Sequence, residues 1–288
     1  MNRMARIAVA VTVVVFAATL VGVWQETRTL VEPPQGVKVS IYQPRSDISM
    51  NRIVIKFENE SAEPLTITTA SLTSNFFANE FVWNPGRATI VSPGLAIDLR
   101  ADIPPVDSCD GVRSESSVRF SWSAGGVSGT STVIPEDTFD ILDSLHGNGC
   151  FIKAINTVGT ISAVSLTPPT QEPAPATLLI SIVPTGAEGT VTIKSVGSTT
   201  LLNPADPNGI GSAQLNLGIE ISKNGPDTIT IPIVPNRCDE HGIAEDKIGT
   251  RIPLYVMLAD GTEGRLVLPA SDQLRAEMYS FYTSFCGL

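Results

Sequence analysis

The chain has 288 residues, enough for about two domains of ordinary size. Acidic residues outnumber basic ones by 29 to 19, a net charge of −10, which argues against nucleic acid and anionic lipid as partners because both repel a negative surface. Gly and Pro are plentiful, at 23 and 21 residues, and such a composition favours many short strands and turns over long helices.

The N-terminal segment, residues 1–24, predicts a short cytoplasmic tip followed by a transmembrane anchor. Arg3 and Arg6 precede Ile7–Trp24, a run of 18 residues without a charge, which is near the lower limit for a helix that spans a bilayer. Basic residues before the run orient its start toward the cytoplasm. Cleavage as a signal peptide is the alternative, but no small-x-small site follows the apolar run. In either case the rest of the chain is exported.

Residues 25–36 follow as a predicted stalk. This segment contains Pro33 and Pro34 and reaches at most ~40 Å from the membrane when it is fully extended. We expect the globular part of the protein to begin at residue 37.

An internal repeat dominates the remainder. Alternating apolar residues predict half-buried strands at Asn51–Asn59 and again at Ala176–Val183. Leu65–Leu72 similarly matches Thr190–Val196. The proline-rich stretch Thr167–Pro175 then falls between the first two strands of the second repeat, and we interpret it as a loop and not as a linker between domains.

The four cysteines stand in two matching contexts. Cys109 and Cys238 each follow a proline-containing segment, and each is followed by Asp, a predicted hairpin, a proline, a helix and a second cysteine, Cys150 or Cys286. Four cysteines allow three pairings, and the repeat favours Cys109–Cys150 with Cys238–Cys286. Disulfides persist outside the cytoplasm, and a loop of this length is worth roughly 4 kcal/mol in the chain-entropy model.

Several short strands per repeat, with turn signals between them, predict a mostly β fold. We therefore expect tandem immunoglobulin-like β-sandwich modules, at 37–150 and 151–288, after one N-terminal transmembrane helix. The aromatic run from Asn75 to Trp83 and the helical pattern of Leu274, Met278, Phe281 and Phe285 are expected to pack in the cores.

The strongest candidate for a binding site is the loop 239–247. Its polar members are Asp239, Glu240, His241, Glu245, Asp246 and Lys247. Carboxylates at this density suit a divalent cation, whereas a polar loop that supports a structural cysteine is the ordinary interpretation. In that second case Asp239 caps a turn, and Glu245 or Asp246 pairs with Lys247 or Arg251. We assign no metal ligand and no cofactor.

A resemblance covers the same segment. Residues Arg237–Thr250, with the pattern Arg-Cys-Asp-x-His-x-x-Ala-Glu-Asp-Lys-x-Gly-Thr, resemble a motif in uncharacterised secreted or membrane-anchored proteins of actinobacteria. The resemblance implies an envelope location and a β-rich fold. It implies no activity.

No set of residues amounts to a catalytic centre. His146, within His146-Gly147-Asn148-Gly149, has no orienting acid or nucleophile beside it in sequence, and we expect it near a helix C-terminus before a glycine stop. We therefore predict a non-enzymatic binding or structural protein of the cell envelope that contacts another envelope protein. The alternative is a receptor for a small molecule or metal that uses the 239–247 loop.

Overall fold

A computed structural model of the chain describes residues 31–48, 50–83, 86–110, 116–171, 173–246 and 250–288. No helix in these ranges is long and apolar enough to cross a membrane. The predicted anchor, together with residues 25–30 of the predicted stalk, lies outside them. The described part is mostly β, as predicted, and its strands form sandwich-like sheets.

The first half of the chain forms eight strands and two helices. They are β1 (Val37–Tyr42), α1 (Arg45–Ile48), β2 (Arg52–Asn59), β3 (Leu65–Thr73), β4 (Phe81–Trp83), β5 (Thr89–Val91), β6 (Ala96–Asp102), β7 (Ser117–Ala124), β8 (Val127–Val133) and α2 (Ile141–Val158). Strands β1–β8 are called the N-terminal sandwich.

The second half repeats this content. Its elements are β9 (Gly159–Thr167), β10 (Ala176–Pro184), β11 (Val191–Gly197), β12 (Leu202–Pro204), β13 (Gln214–Ile221), β14 (Thr228–Pro235), α3 (His241–Glu245), β15 (Arg251–Leu258), β16 (Glu263–Pro269) and α4 (Asp272–Cys286). Strands β9–β16 are called the C-terminal sandwich.

The strand order of the two sandwiches corresponds. One sheet runs β1-β2-β6 in the N-terminal sandwich and β9-β10-β14-β12 in the C-terminal sandwich. The other runs β4-β3-β7-β8, with β5 also beside β3, and β13-β11-β15-β16. A register shift falls between Ile67 and Thr69 of β3 and between Ile193 and Ser195 of β11, so even the irregularity recurs at the matching strand. The proline-rich stretch after β9 is a loop, as predicted.

Each sandwich encloses its own core. The N-terminal core includes Ile55 and Phe57 of β2 and Phe120 and Trp122 of β7. Phe57 and Phe120 make an edge-to-face contact with ring centroids 4.9 Å apart, which ties one sheet to the other. The predicted burial of the aromatic run is confirmed for Phe76, Phe77, Phe81 and Trp83, as is that of Leu274, Met278 and Phe281.

Helix α2 belongs to both cores. Its first turns contribute Leu142 to the N-terminal core, and its last turns contribute Phe151, Ile155 and Val158 to the C-terminal core. The chain then enters β9 at Gly159 without a break. The expected boundary at residue 150 therefore lies inside a continuous helix, because the apolar residues after Cys150 find a second hydrophobic face to pack against.

The helix end expected near His146 is wrong. Gly147 and Gly149 lie inside α2 and do not terminate it. A Cβ at Gly149 would overlap Val106 Cγ1, so this glycine permits a close approach between the helix and the segment that precedes Cys109. The His146 ring stacks on Phe76 with centroids 4.1 Å apart.

The described end of the predicted stalk is docked on the N-terminal sandwich. The Val31 amide donates to the Thr130 carbonyl oxygen at 2.9 Å, and the Ser131 hydroxyl donates to the Val31 carbonyl at 2.5 Å. Ser131 also accepts a hydrogen bond from the buried indole of Trp122 at 2.8 Å. Residues 31–36 therefore do not extend away from the sandwich.

Candidate functional site

The predicted acidic loop is held to the C-terminal sandwich by covalent and polar contacts. Cys238 and Cys286 form a disulfide, and so do Cys109 and Cys150, which is the predicted pairing. The hydroxyl of the fully buried Tyr282 donates to the Asp239 carbonyl oxygen at 2.9 Å. A Cβ at Gly242 would lie 2.5 Å from that hydroxyl, so the start of α3 sits directly against Tyr282.

The acidic side chains of this loop are engaged by neighbouring groups of the protein. Asp239 Oδ1 accepts hydrogen bonds from the amides of His241 and Gly242, both at 3.0 Å, which confirms that Asp239 caps a turn. Asp239 and Glu245 both form ion pairs with Arg237. The Glu245 contact raises the pKa of Arg237. Glu245 therefore pairs with Arg237, and neither Glu245 nor Asp246 pairs with Arg251 among the described residues, while the expected pairing with Lys247 falls outside them.

Asp246 faces inward. Its side chain is buried, and its Oδ2 accepts hydrogen bonds from Thr250 Oγ1 at 3.1 Å and from Tyr279 Oη at 3.0 Å. Burial and this hydrogen bond raise the pKa of Tyr279. Two hydroxyl donors on one oxygen hold the carboxylate in a fixed position at the base of the loop.

The other predicted site residues do not converge. Glu240 is exposed, the His241 side chain is 87% exposed, and Lys247 lies outside the described residues. Within the described ranges, no group of three or more His, Cys, Asp or Glu side chains is arranged to hold a metal ion.

A cleft lies at the seam between the two sandwiches. Its volume is about 630 Å³, within the usual range for sites that bind small molecules. The N-terminal half contributes Gln43, Arg45, Ile48 and Asn51; α2 contributes Ile141, Ser144, Leu145, Asn148 and Ile152; the C-terminal half contributes Ser198, Thr199, Thr200, Asp246, Arg251, Arg265 and Val267. We call this site the seam cleft.

Local structure explains how these side chains meet. The five α2 residues recur at spacings of three and four, so they share one face of the helix. On the β15–β16 hairpin, Arg251 pairs with Pro269, Val267 with Pro253, and Arg265 with Tyr255. These residues share the face that alternates with the buried Leu266 and Leu268. Arg251, Val267 and Arg265 therefore point away from the C-terminal core and toward the seam.

Sequence reasoning missed this site. Alternation in β15 and β16 could have placed Arg251 and Arg265 on one face of the hairpin. Nothing in the sequence connects them with Arg45, which is 206 residues earlier than Arg251, or with the exposed face of α2. Of the predicted loop, Asp246 alone lines the cleft among the described residues.

Comparisons with known proteins give little guidance. No family model matches the chain, and no curated protein matches it at a significant level. Among solved structures, red sea bream transglutaminase matches 83% of this chain over 32% of its own length, at 11% identity and a TM-score of 0.25. CBD12 from CALX1.2 matches 78% of this chain over 83% of its own, at 11% identity and a TM-score of 0.23. The chain thus spans about a third of the transglutaminase, and likenesses this weak carry no functional argument.

Proposed function

We propose that the chain is a non-enzymatic binding protein of the cell envelope, exported and held at the membrane by residues 7–24. Two disulfides, which persist outside the cytoplasm, support an extracytoplasmic location. The charge-free run at the N-terminus supports the anchor. The resemblance of residues Arg237–Thr250 to actinobacterial secreted or membrane-anchored proteins agrees with this address.

We further propose that the two sandwiches are tandem immunoglobulin-like modules that arose by duplication. The matching sheet orders support this interpretation, since a sheet of β1-β2-β6 facing β3-β7-β8 resembles the arrangement of immunoglobulin domains. The shift at the same point of β3 and β11 supports it as well.

The docked residues 31–36 and the shared helix α2 favour two sandwiches that are held rigidly, close to the membrane. Since residues 31–36 are docked on the N-terminal sandwich, at most six residues of the proposed stalk, 25–30, separate the sandwich from the proposed anchor, and six residues span at most ~20 Å. Helix α2 packs in both cores, so the second sandwich has a fixed direction relative to the first. A partner that binds either sandwich meets one rigid body.

The observation that carries the proposal is the exposure of apolar side chains between β8 and α2. Ile134 is 79% exposed and Phe139 is 73% exposed. Both residues lie in the segment that joins β8 to α2. Exposed apolar side chains mark a surface that binds other proteins when they form a contiguous patch, and these two lie five residues apart in this one segment. We propose that this segment contacts another envelope protein.

Photo-crosslinking tests this proposal. The full-length chain carries a photoreactive phenylalanine analogue at Phe139 and is irradiated in its native membranes. We expect it to crosslink to one envelope protein. The same analogue at Val183, which is 61% exposed on the C-terminal sandwich, serves as the control. Capture of no protein from position 139, or of the same set from both positions, would contradict the proposal.

The seam cleft favours a second candidate function, a receptor for a small molecule. Asp246, a member of the predicted 239–247 loop, lines this cleft, so the cleft shares one residue with the predicted loop. The receptor candidate predicts a rise in melting temperature with a solute, and Asp246→Asn is expected to change that rise. A screen of Ca²⁺, Zn²⁺, organic anions and neutral sugars that raises the melting temperature with none of them would contradict it.

A further inference from the structure

We infer that the seam cleft binds a small organic molecule that carries more than one anionic group, either carboxylate or phosphate. This inference rests on the receptor candidate and adds the chemical class of the ligand. Three arginines from both halves of the chain line the cleft: Arg45, Arg251 and Arg265. With Asp246 as the one acid among the described lining residues, the lining carries a net charge of +2 in a chain of net charge −10.

Four of the other six described arginines are paired with an acid, whereas Arg87 and Arg119 are not. Arg52, Arg100, Arg237 and Arg275 each lie within ion-pair distance of an acid. The side chains of Arg45, Arg251 and Arg265 have no ion pair or hydrogen bond with any described residue. A guanidinium group offers five donors in a fixed fork that matches carboxylate and phosphate oxygens, and these three forks are free to receive them.

Arg251 provides the strongest evidence among the three arginines. Its Nε is buried and has no hydrogen-bond partner among the described groups, and burial lowers the pKa of the guanidinium. Burying part of a charged group without a partner is unfavourable, and an anion in the cleft would offset this cost through the charge of the guanidinium and its terminal Nη donors, since Nε itself is closed to solvent. Asp246 does not neutralise this guanidinium, because no hydrogen bond or ion pair joins the two described side chains, and Asp246 Oδ2 instead accepts from Thr250 and Tyr279.

The spacing of the arginines indicates a ligand larger than a simple ion. Arg251 and the residue opposite Arg265, Tyr255, are four positions apart on β15, which corresponds to about 13 Å of strand. Arg45 reaches the cleft from the other half of the chain. Apolar side chains from α2, Ile141, Leu145 and Ile152, line the same cleft. A molecule with an apolar portion and anionic groups at separate points would contact both.

Calorimetric titration of the purified full-length chain tests the inference. Citrate probes carboxylate recognition, inorganic phosphate probes phosphate recognition, and each titration is matched to sodium chloride of equal ionic strength. We expect saturable binding of at least one of these anions. Charge-assisted hydrogen bonds at Arg265 or Arg45 predict that Arg265→Gln or Arg45→Gln weakens it by about 10- to 100-fold.

The matched control is Arg119→Gln. Arg119 is an exposed arginine of β7 that also lacks an ion pair with any described residue and lies outside the seam cleft. Arg45, Arg265 and Arg119 are all exposed. The free energy of unfolding of each variant is therefore expected to lie within about 0.5 kcal/mol of that of the parent protein, and thermal unfolding checks that each variant folds. Affinity should be unchanged in Arg119→Gln.

Two outcomes would overturn the inference. One is the absence of saturable binding of citrate and of phosphate to the folded parent protein; the other is an equal loss of affinity in Arg119→Gln and Arg265→Gln. If Ca²⁺ or a neutral sugar raises the melting temperature while neither anion binds, the anionic class is overturned and the receptor candidate stands. The crosslinking result at Phe139 is independent of all three arginines.

Discussion

Helices α2 and α4 occupy equivalent places after the last strand of each sandwich, yet the chain continues differently beyond the disulfide in each. Cys286 is the last residue of α4, and the helix ends at Gly287 in a left-handed conformation with φ of 67°. Cys150 lies in the middle of α2, which continues to Val158 and packs into the second core. The comparison shows that a repeat ending in a helix can be joined to the next repeat without a linker.

The largest expected effect comes from removing one disulfide at a time. The pairs Cys109–Cys150 and Cys238–Cys286 are separated by 41 and 48 residues, so each is expected to contribute roughly 4 kcal/mol to the free energy of unfolding. Because α2 lies in both cores, Cys109→Ser with Cys150→Ser should lower protection in both sandwiches. Cys238→Ser with Cys286→Ser should lower protection mainly in the C-terminal one.

Amide hydrogen exchange, read at β2 and at β14, measures the two sandwiches separately. Loss of protection confined to β2 after removal of the first disulfide would show that α2 does not couple them.

Truncation of Ile155 should have the next largest effect. This side chain is fully buried in the C-terminal core, although its helix starts on the N-terminal one. Ile155→Ala is expected to cost about 2–5 kcal/mol, measured by urea unfolding. The control Asn156→Ala changes an exposed neighbour on the same helix and should stay within about 0.5 kcal/mol of the parent. Equal effects would mean that α2 does not enter the second core.

Alanine substitutions at two glycines of α2 are expected to change the free energy of unfolding in opposite directions. Gly147→Ala meets open space and should stabilise the helix by about 0.5–1 kcal/mol, since alanine has the higher helix propensity. Gly149→Ala meets Val106 and should destabilise the protein by about 1–3 kcal/mol through overpacking. Thermal unfolding measures both, and stabilisation by both would refute the close approach between α2 and the segment before Cys109.

The smallest expected effect is on the pH dependence of stability, and it concerns one tyrosine in each half of the chain. Burial and a hydrogen bond to Asp98 raise the pKa of Tyr42 from 10.0 to about 12, and burial with a bond to Asp246 raises that of Tyr279. A raised tyrosine pKa stabilises the fold fully below pH 10, and this contribution is lost as the pH rises through the folded-state pKa, which for Tyr42 is about 12. Ultraviolet titration of phenolate should lose one late-titrating group in Tyr42→Phe and another in Tyr279→Phe. Loss of an early-titrating group in either variant would contradict the assignment.

Much of the local structure could be predicted from the sequence because it depends on short-range patterns. Alternation marked β2 and β10, and the hairpin predicted after the first cysteine of each repeat is present as β7–β8 and as β15–β16. The helix predicted between the proline and Cys286 is also present as α4, where Ser271 accepts a hydrogen bond from the Leu274 amide at 3.1 Å and caps the helix. The length of α2 was not predictable in this way, since the glycines within it resemble a helix stop until Val106 is placed beside them.

Some features of the candidate site could likewise be predicted from the sequence, whereas others depended on tertiary packing. The amino-acid sequence alone was enough to predict the cysteine pairing, because repeated order allows only one equivalent solution, and to predict that Asp239 would cap a turn, because that contact spans three residues. Tertiary packing was needed to pair Glu245 with Arg237, to turn Asp246 inward, and to bring Arg45 to the same cleft as Arg251 and Arg265. The first two contacts depend on packing within the C-terminal half, and the third depends on how the two sandwiches meet across a shared helix. Packing between distant segments sets that geometry, and no local pattern encodes it.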